Sequence, residues 1–176
     1  MFENLKLKLA GIIIRNKYLK RNLNPIVFNK VITQAQDFLI IMPEVDTDFF
    51  HSLDLLKYLS INRKSITLFL PEHKYNLIPE KDKYKFVSFS YLEKTKLSLP
   101  NQVLTDRLKN KVFDVVMDLN RKENIFFSAV ANIVASKLRI CFTKENSEPY
   151  YNFQFAGSPD NAEVAFRNLL NFLQMF

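Results

Sequence analysis

The stretch Phe113 to Thr143, FDVVMDLNRKENIFFSAVANIVASKLRICFT, constrains the fold of this chain more than any other. A mostly apolar run, Val112 to Leu119, closes on Asp118-Leu119. A polar loop follows, then a helix rich in small residues over Glu123 to Ser136, then a second apolar run over Leu138 to Thr143. Apolar runs of strand length on either side of a helical segment define a βαβ unit, and such a unit belongs to a parallel sheet covered on both faces.

The same alternation extends through most of the chain. Asp37 to Met42 (DFLIIM) reads as the first core strand, stopped by Pro43. Asp46 to Ser60 reads as a helix, with Asp46, Thr47 or Asp48 as its cap and Phe49, Leu53, Leu56 and Leu59 on one face. Ser65 to Leu70 is the second strand, and Lys83 to Ser90, which alternates, is a third strand nearer an edge. Short helices are expected over Asn29 to Ala35 and Asn101 to Lys109, with a loop over Leu92 to Leu99. A sixth strand is expected over Tyr150 to Ala156, and Ser158 or Asp160 caps a last helix carrying Val164, Leu169, Leu170 and Leu173. The expected fold is therefore α/β, a single Rossmann-like doubly wound domain of about six mostly parallel strands. Its expected strand order is 3-2-1-4-5-6. That order sets the ends of strands one and four side by side, where folds of this kind bind ligands. The loops there are Pro43 to Asp48 and Asp118 to Asn124.

Charge is unevenly placed. The chain of 176 residues carries +7, but Met1 to Leu23 holds six basic residues against Glu3, giving 6 − 1 = +5 and leaving +2 for the rest. Phe2, Leu5, Leu9, Ile12, Asn16, Leu19 and Leu23 recur at spacings of three and four, so residues 1–24 are expected to form a basic amphipathic helix ending at Asn24-Pro25, with residues 25–176 as the domain. The simplest reading is a stripe packed on its own domain. Contact of Lys6, Lys8, Arg15, Lys17, Lys20 and Arg21 with an anionic membrane comes next. Nucleic acid comes last, because no aromatic-basic interleaving accompanies the charge. The apolar run Leu9 to Ile14 is too short for a secretory signal, and no window reaches the roughly 20 apolar residues of a membrane span. A cytoplasmic location, peripheral at the inner membrane if the helix binds lipid, is the default expectation.

Two glycines, Gly11 and Gly157, are all the chain has, and neither opens a helix after a core strand. Phosphate-binding loops need glycine so that backbone amides can approach the phosphate, so ordinary dinucleotide binding is not expected, nor any cofactor. Glu44, Asp46, Asp48 and Asp118 converge on the switch point. They suit acid-base or magnesium chemistry, but helix capping alone accounts for an Asp at this place, and no metal site is assigned. Asn120, Arg121 and Lys122 open the loop after strand four, where a phosphate or sugar acid would be met. The lone Cys141, mid-strand, reads as a buried apolar residue, and His73 as a solvated one.

FDVVMDL, the alanine-containing helix and SKLRICFT resemble the N-terminal domain of family 9 glycosyltransferases, the lipopolysaccharide heptosyltransferases, whose pattern is a D-V-V-I-D-L strand, a helix and an A-K-x-R-I-G-F strand. TDFFHSLDLL, Thr47 to Leu56, is similar to the family's G-D-V-L-H-T-L-P-A-L, and AEVAFRNLLNFLQMF is similar to the helix closing its first domain. The resemblance covers roughly residues 37 to 176. It implies that the catalytic Asp falls on Asp48 and the following His on His51. Cys141, Thr47 and Asp54 depart from the pattern, and the chain stops where the donor-binding domain of the family begins. As a whole it resembles short bacterial proteins that keep only this half. The expectation is a glycosyltransferase-like protein that is non-catalytic and acts by binding. One alternative is the acceptor-binding component of a sugar transferase completed by a separate donor-binding chain, with Asp48 as base, and Asp118, Asn120 and Arg121 as ligand contacts. The other is an assembly or membrane-associated protein without a small-molecule ligand. A protein partner or a second copy of the chain stays open.

Overall fold

In a computed structural model that describes residues 2–19, 27–157 and 160–176, six parallel strands form one sheet in the order β3-β2-β1-β4-β5-β6. The strands are β1 (Asp37–Ile41), β2 (Ser65–Pro71), β3 (Lys85–Phe89), β4 (Val112–Asp118), β5 (Ala135–Phe142) and β6 (Phe153–Phe155). The helices are α1 (Phe2–Lys17), α2 (Phe28–Gln34), α3 (Asp46–Ile61), α4 (Gln102–Leu108), α5 (Ile125–Ile133) and α6 (Ala162–Leu173). The fold is the Rossmann-like doubly wound one that the alternation predicts.

Period-two burial explains how the sheet is covered. On β1, Phe38 and Ile40 join a core with Phe49, Leu55, Leu56 and Leu59 of α3 and Ala165, Phe166, Leu169 and Leu173 of α6. Leu39 and Ile41 point the other way, into a core with Leu104 and Leu108 of α4, Phe126, Phe127 and Val130 of α5, and Ala10 and Ile14 of α1. Both faces of β1 are dry, which is why its sequence is a continuous apolar run. Edge position suits β3, whose burial alternates.

Several boundaries differ from expectation, each for a local reason. The helix after β4 ends at Ile133 rather than Ser136, and β5 begins at Ala135. The Arg139 side chain folds back and donates to the carbonyls of Ala131, Val134 and Ser136, so it satisfies the acceptors that an early helix end leaves open. Tyr150 and Tyr151 are not strand residues; their rings turn into the core ahead of β6. Asn161, not Asp160, caps α6 through its side-chain oxygen on the Val164 amide, and Ser158 lies outside the described residues.

α1 corrects the simplest reading of the N-terminal segment. It packs on the domain through Ala10 and Ile14, both fully buried, while Leu5, Leu9 and Ile12 are 55%, 45% and 53% exposed. Leu5, Leu9 and Ile12 of the predicted stripe face away from the domain, Leu19 beyond the helix packs against the core, and a second, shorter stripe on the opposite side holds the helix down. Lys20, Arg21, Leu23 and the expected stop at Asn24-Pro25 lie outside the described residues.

Candidate functional site at the sheet switch point

The C-terminal ends of β1 and β4 are adjacent, with Ile41 paired to Asp118. Chain reversal here leaves a crevice between the two outgoing loops. In this protein the crevice is filled by its own side chains. Asn120 accepts from the Glu44 amide at 2.9 Å and donates to the Met42 carbonyl at 3.3 Å, latching one loop to the other.

Asp118 anchors that latch from below. Its carboxylate is fully buried and accepts from Lys144 Nζ at 2.5 Å, the Tyr151 hydroxyl at 2.6 Å, and the Asn120 amide and side-chain nitrogen at 3.0 and 2.8 Å. Four donors compensate the loss of water around a buried charge. Burial, followed by the Asp118 charge and its hydrogen bond, pushes the Tyr151 phenol well above its ordinary value. The Asp118 carboxylate and the Asn120 side chain are thus both engaged within the fold.

Lys74 and Lys94 are also engaged. Lys74 Nζ, almost wholly buried, meets Asp46 at 2.8 Å and the Glu44 carbonyl at 2.6 Å, and sits over the Phe49 ring. That contact holds the Asp46 carboxyl below its usual value, first through the hydrogen bond and then through charge. Lys94 meets Glu44 at 3.0 Å amid the rings of Phe89, Tyr91, Phe126 and Phe127. Asn124, which caps α5 through the Phe126 amide, donates to the other Glu44 oxygen at 2.9 Å.

Asp48 lies in the first turn of α3 but does not cap it; Val45 is the N-cap and makes no side-chain cap bond. The carboxylate instead takes a two-point contact from Arg121, Nε at 3.0 Å and Nη2 at 2.8 Å. A fork on a carboxylate is the strongest ion-pair geometry available to side chains. Asp48 and Arg121 share a cleft of about 350 Å³ with Val45, Lys122, Phe142, Thr143 and Gly157. Gly157 is required there by close approach: a Cβ would stand 2.7 Å from the Phe142 ring. His51, one turn further along α3, is half-buried and is not part of that lining. The structure therefore joins Asp48 with Arg121 in one cleft, which His51, Asp118 and Asn120 do not line.

Among the described residues no group of three or more His, Cys, Asp or Glu is arranged to hold a metal ion. Cys141 is buried, and burial pushes its thiol up to about 12, so it is inert at neutral pH. Sequence reasoning missed Lys74, Lys94, Lys144 and Tyr151. Lys144 lies two residues beyond the end of β5, and a lysine near the C-terminal end of a strand beside Asp118 was the one available signal.

Fold and site together define a single-domain, doubly wound α/β protein whose switch-point crevice is filled by internal ion pairs. Residues 12–176 match DUF6913, a family of unknown function, and the chain belongs to that family. No curated protein and no solved structure matches it.

Proposed function

We propose that this protein is a glycosyltransferase-like binding module, not an enzyme. The observation that carries the reading is the two-point Asp48–Arg121 pair. The position that the resemblance assigns to the general base has both oxygens occupied by a guanidinium. Each oxygen commits one lone pair to Arg121, so removal of a proton would have to compete with that fixed contact. His51 does not line the cleft that could support it. The neighbouring cleft is at the small end of ligand sites, suited to a sugar-sized polar molecule.

The test is incubation of the purified chain with sugar nucleotides, reading nucleotide release, alongside Asp48→Asn. The expected result is release no faster than the buffer blank for both proteins. Turnover by the native chain that Asp48→Asn abolishes would overturn the reading. A second reading is favoured by the position of Asp48 on the cleft wall: an acceptor-binding component whose Arg121 swings away when a donor-binding chain docks. It predicts transfer only by the reconstituted pair, again lost in Asp48→Asn.

A further inference from the structure

We propose that the outward face of α1 docks on an anionic lipid bilayer. Leu5, Leu9 and Ile12 recur at the i, i+4, i+7 positions of one stripe, on the side of the helix opposite Ala10 and Ile14. All three are roughly half exposed although the domain offers two dry cores, so this apolar surface is not spent on folding. Basic residues border the stripe on both sides: Lys8 and Arg15 along one flank, Lys6 and Lys17 along the other. An apolar stripe between two basic rows is the layout of a helix lying in the plane of a membrane interface. Its leucines and isoleucine enter the acyl boundary, and the lysine and arginine stems reach out to the headgroup phosphates.

A groove of about 450 Å³ runs beside the stripe. Leu7, Ile12 and Ile125 give it an apolar lining, and Lys8, Arg15 and the Tyr150 side chain also border it. Glu123, which lines it too, is engaged by Asn146 at 3.2 Å. Apolar surface beside cationic groups matches the same amphiphile chemistry as the stripe. The helix lies on the surface: no helix among the described residues is long and apolar enough to cross a membrane.

Charge decides between occupants. A second copy applied to this face would bring Lys8, Arg15 and Lys17 against their own counterparts, which opposes association. Nucleic acid would satisfy the basic rows but leave the Leu and Ile centre unrewarded. A bilayer holding anionic lipid satisfies both parts. Each basic residue near such a surface is worth roughly a fivefold change in partitioning, and the effect is screened by salt.

The experiment is co-sedimentation of the full chain with phosphatidylcholine vesicles containing 30 mol% phosphatidylglycerol (about a physiological charge density) and with pure phosphatidylcholine. Two variants accompany it: the triple Leu5→Gln, Leu9→Gln, Ile12→Gln, and the double Lys8→Gln, Arg15→Gln. Because these side chains are exposed, circular dichroism is expected to stay native in both, with at most a small drop in melting temperature for the double variant, which gives up the Arg15–Tyr150 hydrogen bond. The native chain is expected to pellet with anionic vesicles only, less so at high salt. The triple variant should lose about tenfold or more in partitioning, and the double about 20-fold. Absence of pelleting, or equal pelleting by native and triple proteins, would overturn the proposal. So would sedimentation equilibrium showing a native dimer that the triple variant abolishes without vesicle binding. None of these readouts depends on whether the domain is catalytic.

Discussion

Lys144→Met tests the claim that a buried ion pair holds the switch-point loops. The native ammonium lies 2.5 Å from Asp118, and their side chains are 3% and 0% exposed. Methionine fills similar volume without charge, so the Asp118 carboxylate is left buried with three hydrogen-bond donors and no cation. Removing one partner of a buried pair costs about 3–5 kcal/mol. The three remaining donors place this case at the lower end, about 3 kcal/mol, which for a domain of this size lowers the melting temperature by about 6–12 °C. Asp118→Asn orphans the ammonium instead and is expected to cost a similar amount. The double variant removes both charges together, so it should cost well under the sum, giving a coupling of about 2–3 kcal/mol. Urea unfolding followed by far-UV circular dichroism at neutral pH measures all four corners of the cycle. A loss below about 1 kcal/mol for Lys144→Met, or simple additivity, would refute the role assigned to this pair.

Two further outcomes follow from other parts of the molecule. Asp114 accepts from the amides of Gln36 and Asp37 at 2.8 and 3.1 Å, and these two bonds hold its carboxyl below the usual 3.8. Because the folded value is the lower one, the contribution is complete above 3.8 and is lost as pH falls through the folded-state value. Asp114→Asn should therefore cost about 1 kcal/mol at neutral pH, after allowance for water around the carboxylate. That gap should close in acid, which urea midpoints across pH will show; a gap that persists at the lowest pH contradicts the assignment. Gly157→Ala forces a methyl onto the buried Phe142 ring and should destabilise by about 1–3 kcal/mol, whereas an unchanged denaturation midpoint would mean that the cleft wall yields freely.

The strand order was legible because it follows from local patterns: continuous apolar runs at Asp37–Ile41 and Val112–Asp118, closed by Pro43 and by Asp118-Leu119, leave little choice of topology. Helix ends were less legible where a distant side chain replaces the usual cap, as Arg139 does for α5. At the site, the right residues were visible but their partners were not. Asp48 looked like a cap because an Asp in the first turn of a helix commonly is one; its bond to Arg121 spans 73 positions, a distance no local pattern carries. The same holds for Lys144 and Asp118, and for Lys94, whose aromatic surround comes from β3 and α5 as well as its own loop.

The distribution of charge explains why the two ends of this protein suit different tasks. At the strand ends, Lys74, Lys94, Lys144 and Arg121 face Asp46, Glu44, Asp118 and Asp48, one carboxylate for each of these four cations, while Lys122 stays exposed on the cleft wall. A phosphate entering that crevice would have to displace a paired carboxylate into low dielectric. With Asp118 fully buried and Asp48 nearly so, recruiting Lys144 or Arg121 would strand a buried anion. The doubly wound topology is therefore kept while the electrostatics of the crevice run against an anionic ligand. On α1 the balance is reversed: among its described side chains Lys8, Arg15 and Lys17 are exposed, and no acidic one lies beside them on the helix. Positive charge is thus largely paired within the fold at the strand ends and exposed beside Leu5, Leu9 and Ile12 on α1, so an anionic surface meets it first at the helix.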